Sequence, residues 1–354
     1  MATRKTPLHP LLEKREAVFG SYGDWLFALR FGEVAHEYRA ARSGSALADW
    51  GFHALTRVAG PDRRDFLQRL LTNDIPQQPG QGVHAFLLTS NGKPLIEAWV
   101  YQRPDDALLE VPRALHSRVV DQLERYHFRE KLEIQDVSGQ FAGLAVLGPR
   151  SRRTLEATGL SVPELAPYEH LSLDWRGTLL QVARTPRLGV EAYVLWVPEG
   201  RAGALWEALV AADPAPEPVG MEALEILRVE AGVPAYGVDY DEGTLFLEVA
   251  PLDSYSETKG CYIGQEVVAR VLHRGHVNRR LVGLTIEGRQ DDPAEPGAVL
   301  TREGQEVGRV TSTVVSPDLG PIALGYVRRE HWHPGTELTL PDGRKARVSE
   351  LPFR

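Results

Sequence analysis

Lys259-Gly260-Cys261-Tyr262-Ile263-Gly264-Gln265-Glu266 holds the only cysteine of the 354-residue chain, set between two glycines. One thiol cannot close a disulfide within the chain. The glycines predict tight turns on both sides of Cys261, and the run from Gln265 to Leu272 reads as the start of a helix, with Glu266 in its first turn and Arg270 one turn later. That spacing puts the thiol just ahead of a helix N-terminus. Unpaired backbone N–H groups there, with Lys259 two residues away, favour the thiolate and so nucleophilic, redox or metal-ligand chemistry. The same residues also fit the other common fate of a free cysteine, a small buried apolar side chain. A single cysteine cannot supply the three or four thiolates of an ordinary metal or cluster site, so any iron–sulfur cluster would need ligands from a partner or a small molecule. His273 and His276 form a His-x-x-His pair without an evident third ligand; they read as polar surface residues, and no metal site is expected.

The eight-residue stretch resembles the Lys-Gly-Cys-[Tyr/Phe]-x-Gly-Gln-Glu motif of the YgfZ family. Those are folate-binding proteins implicated in iron–sulfur cluster assembly or repair, and relatives of the glycine-cleavage T-protein, an aminomethyltransferase. Val268-Ala269-Arg270 and Leu227-Arg228-Val229-Glu230-Ala231-Gly232-Val233-Pro234 fit the same family. The block from Ser43-Gly44 through Val58 and Gly60 to Phe66-Leu67-Gln68 and Thr72-Asn73-Asp74 resembles the opening of the T-protein fold, and Gly308–Ser312 and Ala323–Val327 resemble its carboxy-terminal domain.

The resemblance implies an α+β protein with a T-protein-like three-domain arrangement. Two intertwined α+β domains would surround a central opening over residues 17–275, a discontinuous folate-binding region, followed by a β-barrel over 276–354. The implied cofactor is tetrahydrofolate or a derivative. The implied partners are folate and iron–sulfur assembly proteins or client enzymes, including tRNA-modifying ones, with no direct nucleic-acid contact expected; the lack of a signal-like or membrane-length apolar run separately predicts a soluble cytoplasmic protein with no membrane partner. In this reading Cys261 is the thiolate and Lys259 its activator, while Gly260, Tyr262, Gly264, Gln265 and Glu266 organise the loop. The rival reading is a folate-dependent one-carbon transferase.

For the folate, the resemblance points to Glu97, which stands at or next to the family's folate-contacting aspartate, and to Trp99 beside it. Glu191, Tyr193 and Arg228 complete the implied pocket. The resemblance also breaks at two places. The family's pterin-binding glutamate falls on Val194, and a second family contact, an arginine, falls on Leu224; neither apolar side chain can make a charge-assisted hydrogen bond. These departures predict that the chain does not replace a glycine-cleavage T-protein.

The elements that must carry these residues follow from hydrophobic period and turn chemistry. Ala17–Ala48 reads as a helix and a turn. Thr56–Val58 reads as a strand, and Gly60-Pro61-Asp62 starts a helix with Phe66, Leu67, Leu70 and Leu71 on one face. Ala85–Thr89 and Leu95–Tyr101, joined by Ser90-Asn91-Gly92-Lys93, make a hairpin whose alternation places Glu97 and Trp99 on one face. Further strands are expected at Ala107–Val111, Ala142–Leu147, Leu171–Arg184 and Ala192–Val197, and helices at Arg113–Arg125, Arg150–Thr158, Gly200–Ala212 and Met221–Ala231. Asp213–Pro218 reads as a stiff proline-rich connection. From Arg279 onward, short strands and Gly/Pro turns predict a small barrel.

Composition supports a folded, multi-domain protein: 43% hydrophobic and 25% charged residues are ordinary globular values, and the length exceeds one usual core. With 40 basic against 48 acidic residues the net charge is −8, which argues against broad nucleic-acid binding. Neither a dinucleotide fingerprint nor a phosphate loop occurs. The basic amino terminus, Met1 to Pro10, lacks the apolar core of a signal peptide.

Overall fold

The computed structural model describes residues 3–251, 253–288 and 292–353. Met1, Ala2 and Arg354 lie outside the described residues. The hairpin forms as expected, with strand Gly82–Leu88 pairing antiparallel to Pro94–Gln102, and Gly92 takes φ +71° in the turn, a conformation that costs glycine little. This pair heads a five-stranded sheet that continues through Asp106–Pro112, His53–Ala59 and Glu133–Asp136. Strand side chains alternate between faces, so Ala98 and Val100 pack under helices Arg63–Leu70 and Arg113–Glu124, while Trp99 and Tyr101 enter the opposite core.

A second, six-stranded sheet runs His170–Trp175, Thr178–Arg184, Ala192–Pro198, Phe141–Leu147, Ala46–Asp49 and Glu217–Val219. Its outer face, with Leu144, Val146, Tyr193 and Leu195, packs on helix Ala202–Val210. Its inner face, with Ala145, Val194 and Trp196, joins the core that also holds Trp99. Helix Met221–Glu230 places Leu224 and Leu227 in that shared core, and Ile322 and Leu324 of the carboxy-terminal barrel reach it too. The barrel closes in the order Arg279–Ile286, Gly320–Arg328, Gln305–Ser316, Val299–Arg302, Glu337–Thr339 and Lys345–Ser349. Two α+β layers and a barrel therefore converge on one interior.

Two expectations fail. Ala17–Ala48 is not a helix and a turn: it holds strands Val18–Tyr22 and Trp25–Arg30 around a turn at Gly23 (φ +60°), then helix Val34–Ser43 and the start of strand Ala46–Asp49. Its aromatic residues take the extended conformation that suits them. The proline-rich connection is also structured in part, because Glu217–Val219 pairs in parallel with Ala46–Asp49 and ends the six-stranded sheet. No helix among the described residues is long and apolar enough to cross a membrane.

Candidate functional site

A cavity of about 590 Å³ opens where the two sheets, helix Met221–Glu230 and barrel strand Gln305–Ser316 meet. Its volume falls within the roughly 300–1,000 Å³ of small-molecule sites. Trp50, Phe52, Trp99, Tyr22 and Tyr236 supply its aromatic surface, and Glu97 its most enclosed carboxylate, only 3% exposed. Glu97 Oε1 lies 2.9 Å from His84 Nε2, and Oε2 accepts the Tyr240 hydroxyl at 2.6 Å. A carboxylate offers about four acceptor positions, so these two partners leave it with room for a ligand.

His84 opposes Trp99 across the hairpin and stacks on it, with ring centroids 4.8 Å apart. Burial alone would lower its pKa, but Asp253, its Oδ1 3.5 Å from Nδ1, and the hydrogen-bonded Glu97 outweigh it, and the net shift is upward from 6.5. A histidine raised in the folded state contributes stability that is full below about pH 6.5 and is lost as pH rises through the folded value.

Arg187 forms the other polar wall. Its guanidinium lies 3.8 Å from the Trp99 ring centroid, donates from Nη2 to Glu110 at 2.6 Å and from Nε to Thr185 at 2.8 Å, and is 6% exposed. Glu110 also accepts Trp50 Nε1 at 2.9 Å and the Tyr101 hydroxyl at 3.0 Å. Burial pushes His53 far below its usual range, with the charges of Arg187 and Arg113 adding to it. The ring is therefore neutral. Arg187 Nη1 sits 3.1 Å from His53 Nε2, which assigns Nε2 as the acceptor and leaves the proton on Nδ1. That N–H and the Trp99 indole N–H have no hydrogen-bond partner among the described residues. The undersaturated Glu97 carboxylate and the Arg187 guanidinium are the charged groups that this enclosed wall offers a polar ligand.

Residues 8–250 match the GCVT N-terminal domain, and residues 279–354 match the glycine cleavage T-protein C-terminal barrel domain. The chain belongs to the glycine-cleavage T-protein family. It is 30% identical to an aminomethyltransferase of Saccharopolyspora erythraea over 99% of this chain and 98% of that one. A putative chloroplastic transferase of Arabidopsis thaliana is 29% identical, over 88% of this chain and 72% of its own. The crystal structure of glycine cleavage system aminomethyltransferase T from Bartonella henselae superposes with a TM-score of 0.89 at 27% identity, over 99% of this chain and 98% of that one. The fold is thus that of the T-protein family, α+β layers around a central opening with a closed carboxy-terminal barrel.

The residues that sequence reading singled out are scattered by this T-protein fold into three places. Glu97 and Trp99 both line the cavity. Arg228 reaches the wall, but all five of its N–H donors are committed: to Glu225 twice, to Val233 O at 2.5 Å, to Asp239 at 2.7 Å and to Ser312 at 2.6 Å. It ties helix Met221–Glu230 to the barrel and has no donor left for a pterin. Glu191 and Tyr193 are not on the cavity. Tyr193 points into the outer core beside Leu205 and Trp206, and its hydroxyl donates to Glu191 at 2.8 Å.

Cys261 is exposed, in the loop before helix Gln265–Arg274. Of its two flanking glycines only Gly264 takes a left-handed conformation, φ +81°, and a Cβ there would stand 2.6 Å from Thr89 O. Gly260 has no such constraint. Tyr262 is buried, Gln265 is half-buried and Glu266 is exposed in the first turn. His273 and His276 are both exposed, and no group of three metal-ligating side chains occurs among the described residues.

Lys259 does not serve the thiol. Its ammonium donates to the carbonyls of Gln68 at 2.9 Å, Leu71 at 2.5 Å and Asn73 at 2.7 Å, so its three protons close the C-terminal end of helix Arg63–Leu70. Burial lowers its pKa to about 8. Lys259→Met should cost about 1.5–3 kcal/mol, the range of a hydrogen bond to a charged group, read as a lowered urea midpoint. A midpoint equal to that of the wild type would remove Lys259 from the account of how the cysteine loop is anchored.

Sequence patterns alone single out none of His53, Arg187, Glu110, His84 and Tyr240 as site residues. His84 was within reach, because the hairpin register sets it opposite Trp99. The others are joined by long-range contacts with no local pattern.

Proposed function

We propose that the chain is a tetrahydrofolate-dependent one-carbon transferase whose cavity takes the pterin of tetrahydrofolate or a derivative. The observation that carries this reading is the Glu97 carboxylate, enclosed in an aromatic cavity and short of partners. A pterin edge presents N–H groups suited to that carboxylate, and its flat ring suits the aromatic wall of Trp50, Phe52 and Trp99. Bound folate would supply the nitrogens that carry the one-carbon unit. The chain would bind the pterin edge through Glu97, orient the ring through the tryptophans, and offer polar contacts from the Arg187 N–H groups that its own partners leave unused. Leu224 on the cavity and Val194 in the inner core leave this site with fewer charged contacts than the resemblance implies.

Reconstitution with glycine-cleavage partner proteins and other one-carbon donors tests transfer. Folate-dependent release of a methylene, methyl or formyl unit supports the reading; folate binding without any transfer would reject catalysis and favour the second reading below.

The second reading is support of iron–sulfur enzymes in the manner of the YgfZ family, favoured by the exposure of Cys261. Cys261→Ser should then keep its melting temperature while a cluster enzyme loses activity in cells that depend on this protein. Unchanged activity of that enzyme would reject a role for the thiol.

A further inference from the structure

His84 is not on the cavity surface, yet it is bonded to the carboxylate that is. Its ring is 3% exposed, with Nε2 2.9 Å from Glu97 Oε1 and Nδ1 3.5 Å from Asp253 Oδ1. Both nitrogens therefore face carboxylates. A neutral imidazole would turn one lone pair toward a carboxylate oxygen, whereas an imidazolium donates to both. The groups packed around it agree with that charge. Glu97 comes from strand Pro94–Gln102 and Asp253 from the segment after helix Phe246–Val249; the Tyr168 hydroxyl donates to Asp253 and the Tyr240 hydroxyl donates to Glu97. The Arg187 guanidinium meets this array only through the Trp99 ring, on which His84 also stacks.

The array also joins two different openings. Glu97 faces the central cavity, while Asp253, its side chain 49% exposed, lines a separate groove between the barrel and helix Gln265–Arg274. Glu97 accepts from both of its partners and so has no proton of its own to give.

We propose that His84 is a positioning residue that holds a proton for Glu97. The step rests on the one-carbon reading of the cavity. The Nε2–H bond breaks as an O–H bond forms on Glu97. That O–H then breaks as the lone pair of a ligand nitrogen takes the proton, as departure of an amine requires. His84 is left neutral, its remaining proton on Nδ1 held by Asp253, and one proton from solvent restores the imidazolium when the cavity reopens. Nothing is oxidised or reduced.

The test uses the full-length protein with ¹⁵N-labelled histidine, the His84 ring nitrogens being followed by NMR over about pH 5 to 9. Both nitrogens should be protonated at neutral pH, and Asp253→Asn should move the midpoint down by roughly 1–3 units. A midpoint at or below the ordinary 6.5, or one that Asp253→Asn leaves in place, overturns the proposal. The pH profile of one-carbon transfer supplies the second readout: the wild-type rate should fall as pH rises through the His84 midpoint, and His84→Gln should lose that limb while still binding tetrahydrofolate by calorimetry. A limb that survives unchanged in His84→Gln overturns the proposal. A wild type that gives no heat with tetrahydrofolate sinks the folate reading instead, and the NMR titration then decides whether His84 holds the proton.

Discussion

Glu110→Ala is expected to destabilise the protein by about 3–5 kcal/mol, the cost of removing one partner from a buried ion pair. Glu110 is fully buried and accepts from Arg187, Trp50 and Tyr101 at once. Its loss leaves the Arg187 charge uncompensated beneath two tryptophans and takes the acceptor from the Trp50 indole N–H and the Tyr101 hydroxyl. Urea unfolding measures the effect as a lowered midpoint, and Glu110→Ala combined with Arg187→Met should recover part of the loss, because the stranded charge goes with it. A change below about 1 kcal/mol in Glu110→Ala would mean that Arg187 finds solvent or another anion, and that the polar wall is not held as described.

Glu97→Ala is expected to weaken tetrahydrofolate binding by roughly 1.5–3 kcal/mol, about ten- to a hundredfold in Kd, through loss of a charge-assisted hydrogen bond. Quenching of Trp50 and Trp99 fluorescence reports occupancy of the cavity they line. Two features make the effect large. The carboxylate is enclosed, so water replaces it poorly, and its own donors, His84 and Tyr240, are left unpaired when it is removed. Glu97→Gln keeps the size and one acceptor oxygen and should lie between the wild type and Glu97→Ala. Equal affinities in all three proteins would place the ligand away from Glu97.

The parts of the site that were legible in sequence are those governed by local rules. Asn91-Gly92 announced the hairpin, and period-two alternation put Glu97 and Trp99 on the same face, where the cavity opens. The barrel strands followed from their short runs and turns. Tyr193 shows how narrow that legibility is. In a strand neighbouring residues face opposite ways, so Val194 points to the central core and Tyr193 to the outer one, and a resemblance without a sheet register could not choose between them. Arg228 and Lys259 fail for a different reason: both are cations already occupied, Arg228 by Glu225, Val233 and Asp239 close in sequence and by one barrel residue, Lys259 by carbonyls far along the chain. Ser312 stands 84 residues from Arg228, and the helix-end carbonyls stand 186 to 191 residues from Lys259. No spacing near Cys261 reveals that its neighbouring lysine is already occupied. In Ala17–Ala48 the expected helix is present as Val34–Ser43, but the glycines and aromatics ahead of it mark two strands, which a reading as a helix and a turn leaves out.

The most direct test of the account is a crystal structure of the protein grown with saturating tetrahydrofolate. The account predicts a pterin in the cavity, its ring against Trp50 or Trp99 and an N–H edge within hydrogen-bond distance of a Glu97 oxygen. An empty cavity at saturation, or a folate bound with its pterin outside the cavity and away from Glu97, would contradict it.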